Sequence, residues 1–167
     1  MTNSAGRPLR VMMARTLVED DLVIPSDGIR PGRERMELYA RLMLDAYSGT
    51  IDDEGETLDD ARSVVQGLFE GEFGELDVAA TAEFVDENAL VAATFVTVHH
   101  GRPLVAFSMT SPGHVRRGLA RRGLRHAIGE LARTGWHEVT LVVTEGNEPA
   151  ETLYVSEGFS RVRRDVP

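Results

Sequence analysis

Five of the ten positions from Arg116 to Arg125 are arginine, in a chain whose formal net charge is −9. The run reads PGHVRRGLARRGLR from Pro112 to Arg125. It lies where a strand-like stretch, PLVAFSMT (103–110), gives way to apolar residues at three- and four-residue spacing. Such a strand-to-helix junction suits an anion, because a helix N-terminus presents unpaired N–H groups and a partial positive charge. Gly118 and Ala120 carry little or no side chain, so a phosphate could approach the main chain there. Neither G-x-x-x-x-G-K-[ST] nor G-x-G-x-x-G is present, which excludes the phosphate loops of the common nucleotide binders.

Other chemistry is narrowed by what the chain lacks. With no cysteine, it has no thiolate metal site, no disulfide framework and no cysteinyl acyl intermediate. No G-x-S-x-G elbow is present, which argues against a serine hydrolase. His99 and His100 are adjacent, so in a strand they are expected on opposite faces and not as joint metal ligands. No downstream aspartate makes them part of an H-H-x-x-x-D motif. His114 reads as an exposed loop residue, and no metal is called for.

The elements that would position these residues follow from periodicity. LRVMMARTL (9–17) reads as an edge strand. A helix fits Arg33 to Tyr47, with Gly49 just past its end. The loop SGTIDDEGE follows, and then a second helix from Leu58 to Glu70, where Thr57 and Asp60 can form a capping box. Strands are expected at 79–85, 90–98 and 103–110, joined by the short polar connections DEN and HHGR. Leu119, Ala120, Gly123, Leu124, Ala127, Ile128 and Leu131 mark a helix from about Arg117 to Thr134. EVTLVV (138–143) then reads as a strand parallel to 103–110 in a right-handed βαβ unit. Asn147 can cap a short helix, Glu148 to Glu157, before a last strand at 159–164. The fold class is α/β with a mixed sheet.

The bulk numbers agree with one domain spanning 1–167. Its 167 residues are 42% hydrophobic and 27% charged, enough for a single core under an ordinary soluble surface. The longest near-apolar run, ALVAATFV, falls far short of the ~20 residues of a membrane span, and the expected location is cytoplasmic. Charge is segregated: residues 51–90 hold 13 acids and one arginine, and residues 101–135 hold seven arginines and one glutamate. Such a dipole could take an anion at one pole and a cation at the other. An overall acidic chain is a poor general nucleic-acid binder, and neither nucleic acid nor membrane is expected as a partner.

V-R-R-G-L-A (115–120), L-V-V-T-E-G-N-E-P-A-E-T-L-Y (141–154) and G-F (158–159) together resemble the GNAT superfamily of acyl-CoA-dependent N-acyltransferases. That family carries Q/R-x-x-G-x-G/A at the start of its central helix, then N-x-x-A-x-x-L-Y and G-F. The match covers roughly residues 79–160, and it departs at Val115, where Gln or Arg is usual. The resemblance implies a mostly antiparallel sheet with helices on both faces and a parallel, splayed pair at the CoA site. It implies that the backbone from Val115 through Arg116, Arg117, Gly118 and Leu119 to Ala120 cradles the pyrophosphate of acetyl-CoA, the acyl donor. Arg116, Arg117 and Arg121 or Arg122 would add charge there. Met109 and Thr110 would pair with pantetheine as with an added strand, and Asn147 would contact it from the other side. A main-chain N–H at Met109 or Thr110 would polarise the acyl carbonyl, and Tyr154 would give a proton to the departing thiolate.

An alkyl amine has a pKa of ~10.4, so acyl transfer to it also needs a proton acceptor. Glu145, Glu83, Asp53 and Glu54 are the carboxylates within expectation, and the acidic loop DDEGE from Asp52 to Glu56, with Asp53 and Glu54 foremost, is further expected to bind a cationic acceptor. The reaction implied is direct attack by a primary amine, on a small molecule or peptide, in a ternary complex. A homodimer is compatible with the resemblance, since dimers are common among such folds. Two other classes stay open at this point: a non-catalytic acyl-CoA sensor or scaffold, and, more remotely, a nucleic-acid-binding domain using the arginine helix.

Overall fold

The computed structural model describes residues 8–21 and 31–162. In chain order these form β1 (Arg10–Thr16), α1 (Met36–Tyr47, entered through a 3-10 turn at 33–35), α2 (Leu58–Glu70), β2 (Glu75–Leu76) and β3 (Ala82–Asp86). There follow β4 (Ala89–His99), β5 (Arg102–Thr110), α3 (Leu119–Arg133), β6 (Glu138–Thr144), α4 (Glu148–Ser156) and β7 (Ser160–Arg161). The strands make one seven-stranded sheet in the order β2-β4-β5-β6-β1-β7, with β3 also paired to β4. Every pairing is antiparallel except β5 with β6.

Helices cover both faces. Leu124, Ile128 and Leu131 of α3 pack on Met13, Val96, Val105 and Leu141 of the sheet. On the other face Tyr39, Met43, Val65 and Leu68 of α1 and α2 pack on Phe95 and Met109. Each fully buried aliphatic side chain contributes about 1.5–3 kcal/mol, so truncating Leu131 to alanine is expected to cost about 2–5 kcal/mol. Gly123 lets α3 approach β4, because a Cβ there would collide with the hydroxyl of Thr94.

Local signals act as expected at several ends. Thr57 and Asp60 form the capping box of α2, and the Asn147 side chain accepts from the Ala150 N–H to cap α4. Four expectations are corrected. β1 is not an edge strand, because β7 pairs along its outer side. Residues 79–81 are a turn rather than strand, since Asp77 accepts from the Ala80 N–H and the Thr81 hydroxyl. The helix expected from Arg117 begins at Leu119, because Gly118 takes a left-handed φ of 76°. His99 and His100 do not diverge: His100 and Gly101 turn the β4–β5 hairpin at φ 49° and 73°, bringing the two rings to 4.2 Å. Of the expected last strand, Ser160–Arg161 is formed, and residues 163–164 lie outside the described residues.

Candidate active site

β5 and β6 pair at only two positions, Leu104 with Thr140 and Val105 with Leu141. Beyond Val105 the two strands diverge, although β5 runs to Thr110 and β6 to Thr144. The Ser111 N–H bonds Val91 O at 2.8 Å, which sets the parity of the β4–β5 ladder. Met109 and Phe107 therefore exchange main-chain bonds with Ala93 and Phe95, and the main-chain groups of Ser108 and Thr110 turn towards the opening. The hydroxyl of Thr110 is buried there without a hydrogen-bond partner. An added extended chain would find its ladder partners at Ser108 and Thr110, not at Met109.

At the far end of β5 the chain passes through a 3-10 turn, Pro112–His114, and extended Val115. Arg116 and Gly118 are both left-handed, at φ 62° and 76°. Gly118 is the N-cap of α3 and supplies no side-chain bond, so the first N–H groups of that 15-residue helix are not satisfied by a cap. A left-handed residue followed by a helical one turns successive N–H groups to one side, making an anion-sized concavity.

The arginines divide by partner. Arg121 and Arg125 converge on Glu157, at 2.5 and 2.8 Å, and Arg122 lies over the ring of Phe84 at 4.8 Å. Arg117 reaches Asp86 at 3.5 Å, and His114 bridges the same carboxylate and the Ser111 hydroxyl. Among the described residues Arg116 has no ion pair. The charge available to an anion at the turn is therefore that of Arg116 and Arg117; Arg121 and Arg122 are held elsewhere.

A cavity of about 380 Å³ opens between the diverging strands and extends to α1 and the α1–α2 loop. Tyr154 stands in its wall, with the Ser108 hydroxyl in hydrogen-bonding reach. Burial, and then the negative charge of Asp52, push the Tyr154 phenol up to about 12, against the opposing effect of Ser108. Tyr47 lies on the same wall near the Ser108 N–H, and burial, with Tyr154 and Asp52 adding to it, holds its phenol above the usual tyrosine range. Both phenols therefore keep their protons at neutral pH.

Asp52 closes the arrangement. It accepts from the Thr144 hydroxyl at 2.5 Å and from Asn147 Nδ2 at 2.9 Å. The loop between α1 and α2 is thus fastened to the end of β6 and the start of α4. Asn147, expected to reach a ligand, has its amide engaged on both sides, by Asp52 and by Ala150.

The expected carboxylates fall differently. Asp53 borders the cavity, but its two oxygens accept from the Gly49 and Gly55 N–H groups, which hold it below the usual carboxylate range. Glu54 pairs with Arg10 at 3.5 Å. Glu83 is buried between Tyr39 and Arg35 and does not line the cavity, and Glu145 meets Arg161 at 3.4 Å. Asp52 belongs to the acidic loop, 52–56, expected to select a cationic acceptor, whereas sequence reasoning missed Ser108 and Tyr47 as site residues. Only the fold shows that Asp52 and Tyr47 line one cavity with β5. Among the described residues no three His, Asp or Glu side chains come together as a metal-binding group.

The open parallel pair thus lies between an uncapped helix N-terminus at one end and a protonated tyrosine at the other. A sequence model of the acetyltransferase (GNAT) family matches residues 34–159. The chain belongs to the GNAT acetyltransferase family. No curated protein matches it. Among solved structures it is similar to a GCN5-related N-acetyltransferase from Sphaerobacter thermophilus, at 21% identity and TM-score 0.66 over 93% of this chain and 50% of that one. It is also similar to the ribosomal-protein-S18-alanine N-acetyltransferase from Escherichia coli, at 15% identity and TM-score 0.64 over 93% and 80% of the two chains. An aminoglycoside N-acetyltransferase solved with CoA matches at 10% identity and TM-score 0.62, over 95% and 94%. The chain thus spans half the length of the Sphaerobacter protein, and at these identities the likeness is one of fold.

Proposed function

We propose that this chain is an N-acetyltransferase that moves an acetyl group from acetyl-CoA to a primary amine by direct attack in a ternary complex. The observation that carries the reading is the divergence of β5 and β6 beyond Val105 and Leu141, between the turn at 115–118 and Tyr154. Each part of the donor has a candidate partner. The N–H groups following Gly118, with Arg116 and Arg117, suit the pyrophosphate. The main-chain groups of Ser108 and Thr110 suit pantetheine amides, as a strand added to the open side of β5.

In the reaction the amine nitrogen bonds to the thioester carbonyl carbon, the C–S bond breaks, and the amine gives up a proton. We assign polarisation of the carbonyl oxygen to the main-chain N–H of Ser108, which faces the opening. Tyr154 donates to the departing sulfur. Its raised pKa guarantees that the donor is protonated at neutral pH. The proton of the amine passes to solvent past the lining carboxylates, Asp52 among them, and Tyr154 regains from solvent the proton it gave to sulfur. With no cysteine in the chain, an acyl-cysteine step is impossible.

A free-thiol release assay with acetyl-CoA and a panel of amines tests the reading. Amine-dependent thiol release is the expected result. Acetyl-CoA bound with no thiol release for any amine would leave only a binding module.

A further inference from the structure

The cavity is lined by unlike kinds of side chain. Part of its lining is apolar: Met43 and Leu44 of α1, Val64 of α2, and the edge-to-face pair Phe73 and Phe107, whose ring centroids are 5.2 Å apart. Its charged lining consists of three carboxylates, Asp52, Asp53 and Glu56, with one guanidinium, Arg10. All three carboxylates accept hydrogen bonds. Both oxygens of Asp53 accept main-chain N–H groups, and Glu56 accepts from the Glu54 N–H at 2.8 Å. Asp52 is the one fixed across the cleft to Thr144 and Asn147, and close enough to Tyr154 and Tyr47 to raise their pKa values.

Resting on the acetyltransferase reading above, we propose that the acceptor is a small monoamine with an apolar, aromatic-sized body. Its nitrogen faces Asp52 and its body lies against Phe73, Phe107 and Val64. A polyamine would need carboxylates along its whole length, and the apolar part of the lining supplies none. A hydroxyl-rich amino sugar would set polar groups against those five apolar side chains, and each group left without a partner there costs about 1–3 kcal/mol. An apolar body meets those side chains with no such cost, and aromatic rings gain from edge contacts with the two phenylalanines. The volume of about 380 Å³ lies at the small end of ligand sites and must also admit the acyl arm, so the body is small.

Two measurements test this and separate it from the reading on which it rests. In thiol-release kinetics, phenethylamine is expected to exceed ethylamine and spermidine in kcat/KM by at least tenfold. Turnover of spermidine or neamine at least as good as that of phenethylamine would overturn the proposal while leaving the acetyltransferase intact. Calorimetric titration of phenethylamine into the CoA-saturated protein needs no turnover. It is expected to show binding that weakens at least tenfold in Asp52→Asn and in Phe73→Leu, with both variants folded by circular dichroism. Such binding without thiol release from any amine would remove the catalytic reading and keep this ligand class. No binding and no preference for phenethylamine would sink it.

Discussion

Asp52 Oδ2 accepts a hydrogen bond from Asn147 Nδ2 at 2.9 Å, across 95 positions of sequence. Its other oxygen accepts from Thr144, so one carboxylate joins the α1–α2 loop to the strand and the helix that bound the open side of the sheet. Asn147 in turn caps α4, which carries Tyr154. The acidic loop and the proton donor are therefore set relative to each other through two side chains.

Asp52→Asn retains hydrogen-bonding atoms but removes the charge. The acceptor KM is expected to rise tenfold or more, while the acetyl-CoA KM stays within about threefold; tenfold corresponds to ~1.4 kcal/mol of lost binding. Asp53→Asn is expected to act on the loop instead, with a lower melting temperature and a smaller change in acceptor KM. Equal KM effects from the two variants would count against a special place for Asp52.

Tyr154→Phe keeps the ring in its contact with Phe159, at 6.1 Å between centroids, and deletes the donor. Fold and acetyl-CoA affinity are expected to persist while kcat falls by roughly 10², the lower end for a lost general acid. A kcat within about threefold of the parent at saturating acetyl-CoA would take Tyr154 out of the chemistry.

Gly118→Leu tests the turn. A Cβ at Gly118 meets nothing within 4 Å, so the cost to the fold is the left-handed conformation alone, about 1–2 kcal/mol. The protein should remain folded and lose CoA affinity, because the new side chain stands where an anion must approach. Unchanged affinity by calorimetry would move the phosphate site elsewhere.

Alkaline stability should report the buried phenols. Tyr154 is raised to about 12, and Tyr39 and Tyr47 shift in the same direction, all first by burial. The unfolded chain ionises its tyrosines near 10, so the native state holds more protons above that pH. Stability from these groups is complete below pH 10 and lost as pH rises towards 12. Denaturant melts at pH 9, 10 and 11 should show that decline, with a shallower slope in Tyr154→Phe; equal slopes would contradict the shift at Tyr154.

Much of the fold was legible because its signals are local. The α3 stripe from Leu119 to Leu131 and the Thr57–Asp60 box lie within one helix each, where spacing alone determines contact. The site was less legible. Whether Met109 or Ser108 faces the opening depends on ladder parity, which is set by the Ser111–Val91 bond and shifted by the irregularity at Phe95/Val96. Asp52 could not be separated from Asp53 and Glu54 without knowing that Thr144 and Asn147 would arrive beside it. The arginine run was conspicuous for its anion, yet two of its members answer Glu157, a residue 32 and 36 positions away from them.

The position of β1 has a consequence for how the chain acquires its shape. Its strand neighbours are β6 and β7, with Arg10 opposite Thr144 and Met13 opposite Arg161. The first strand among the described residues can therefore find neither partner until nearly all the described chain is available. Pairing over such separations requires closing a long loop before any ladder bond repays it, which slows folding relative to helical domains of similar size. Until then β1 has two open edges and β5 lacks its parallel neighbour, so a nascent or truncated chain ending before residue 138 would expose strand edges suited to pairing with other copies. Completion of α4 and β7 closes that interval, so the segment that carries Tyr154 also ends the period of greatest risk of aggregation.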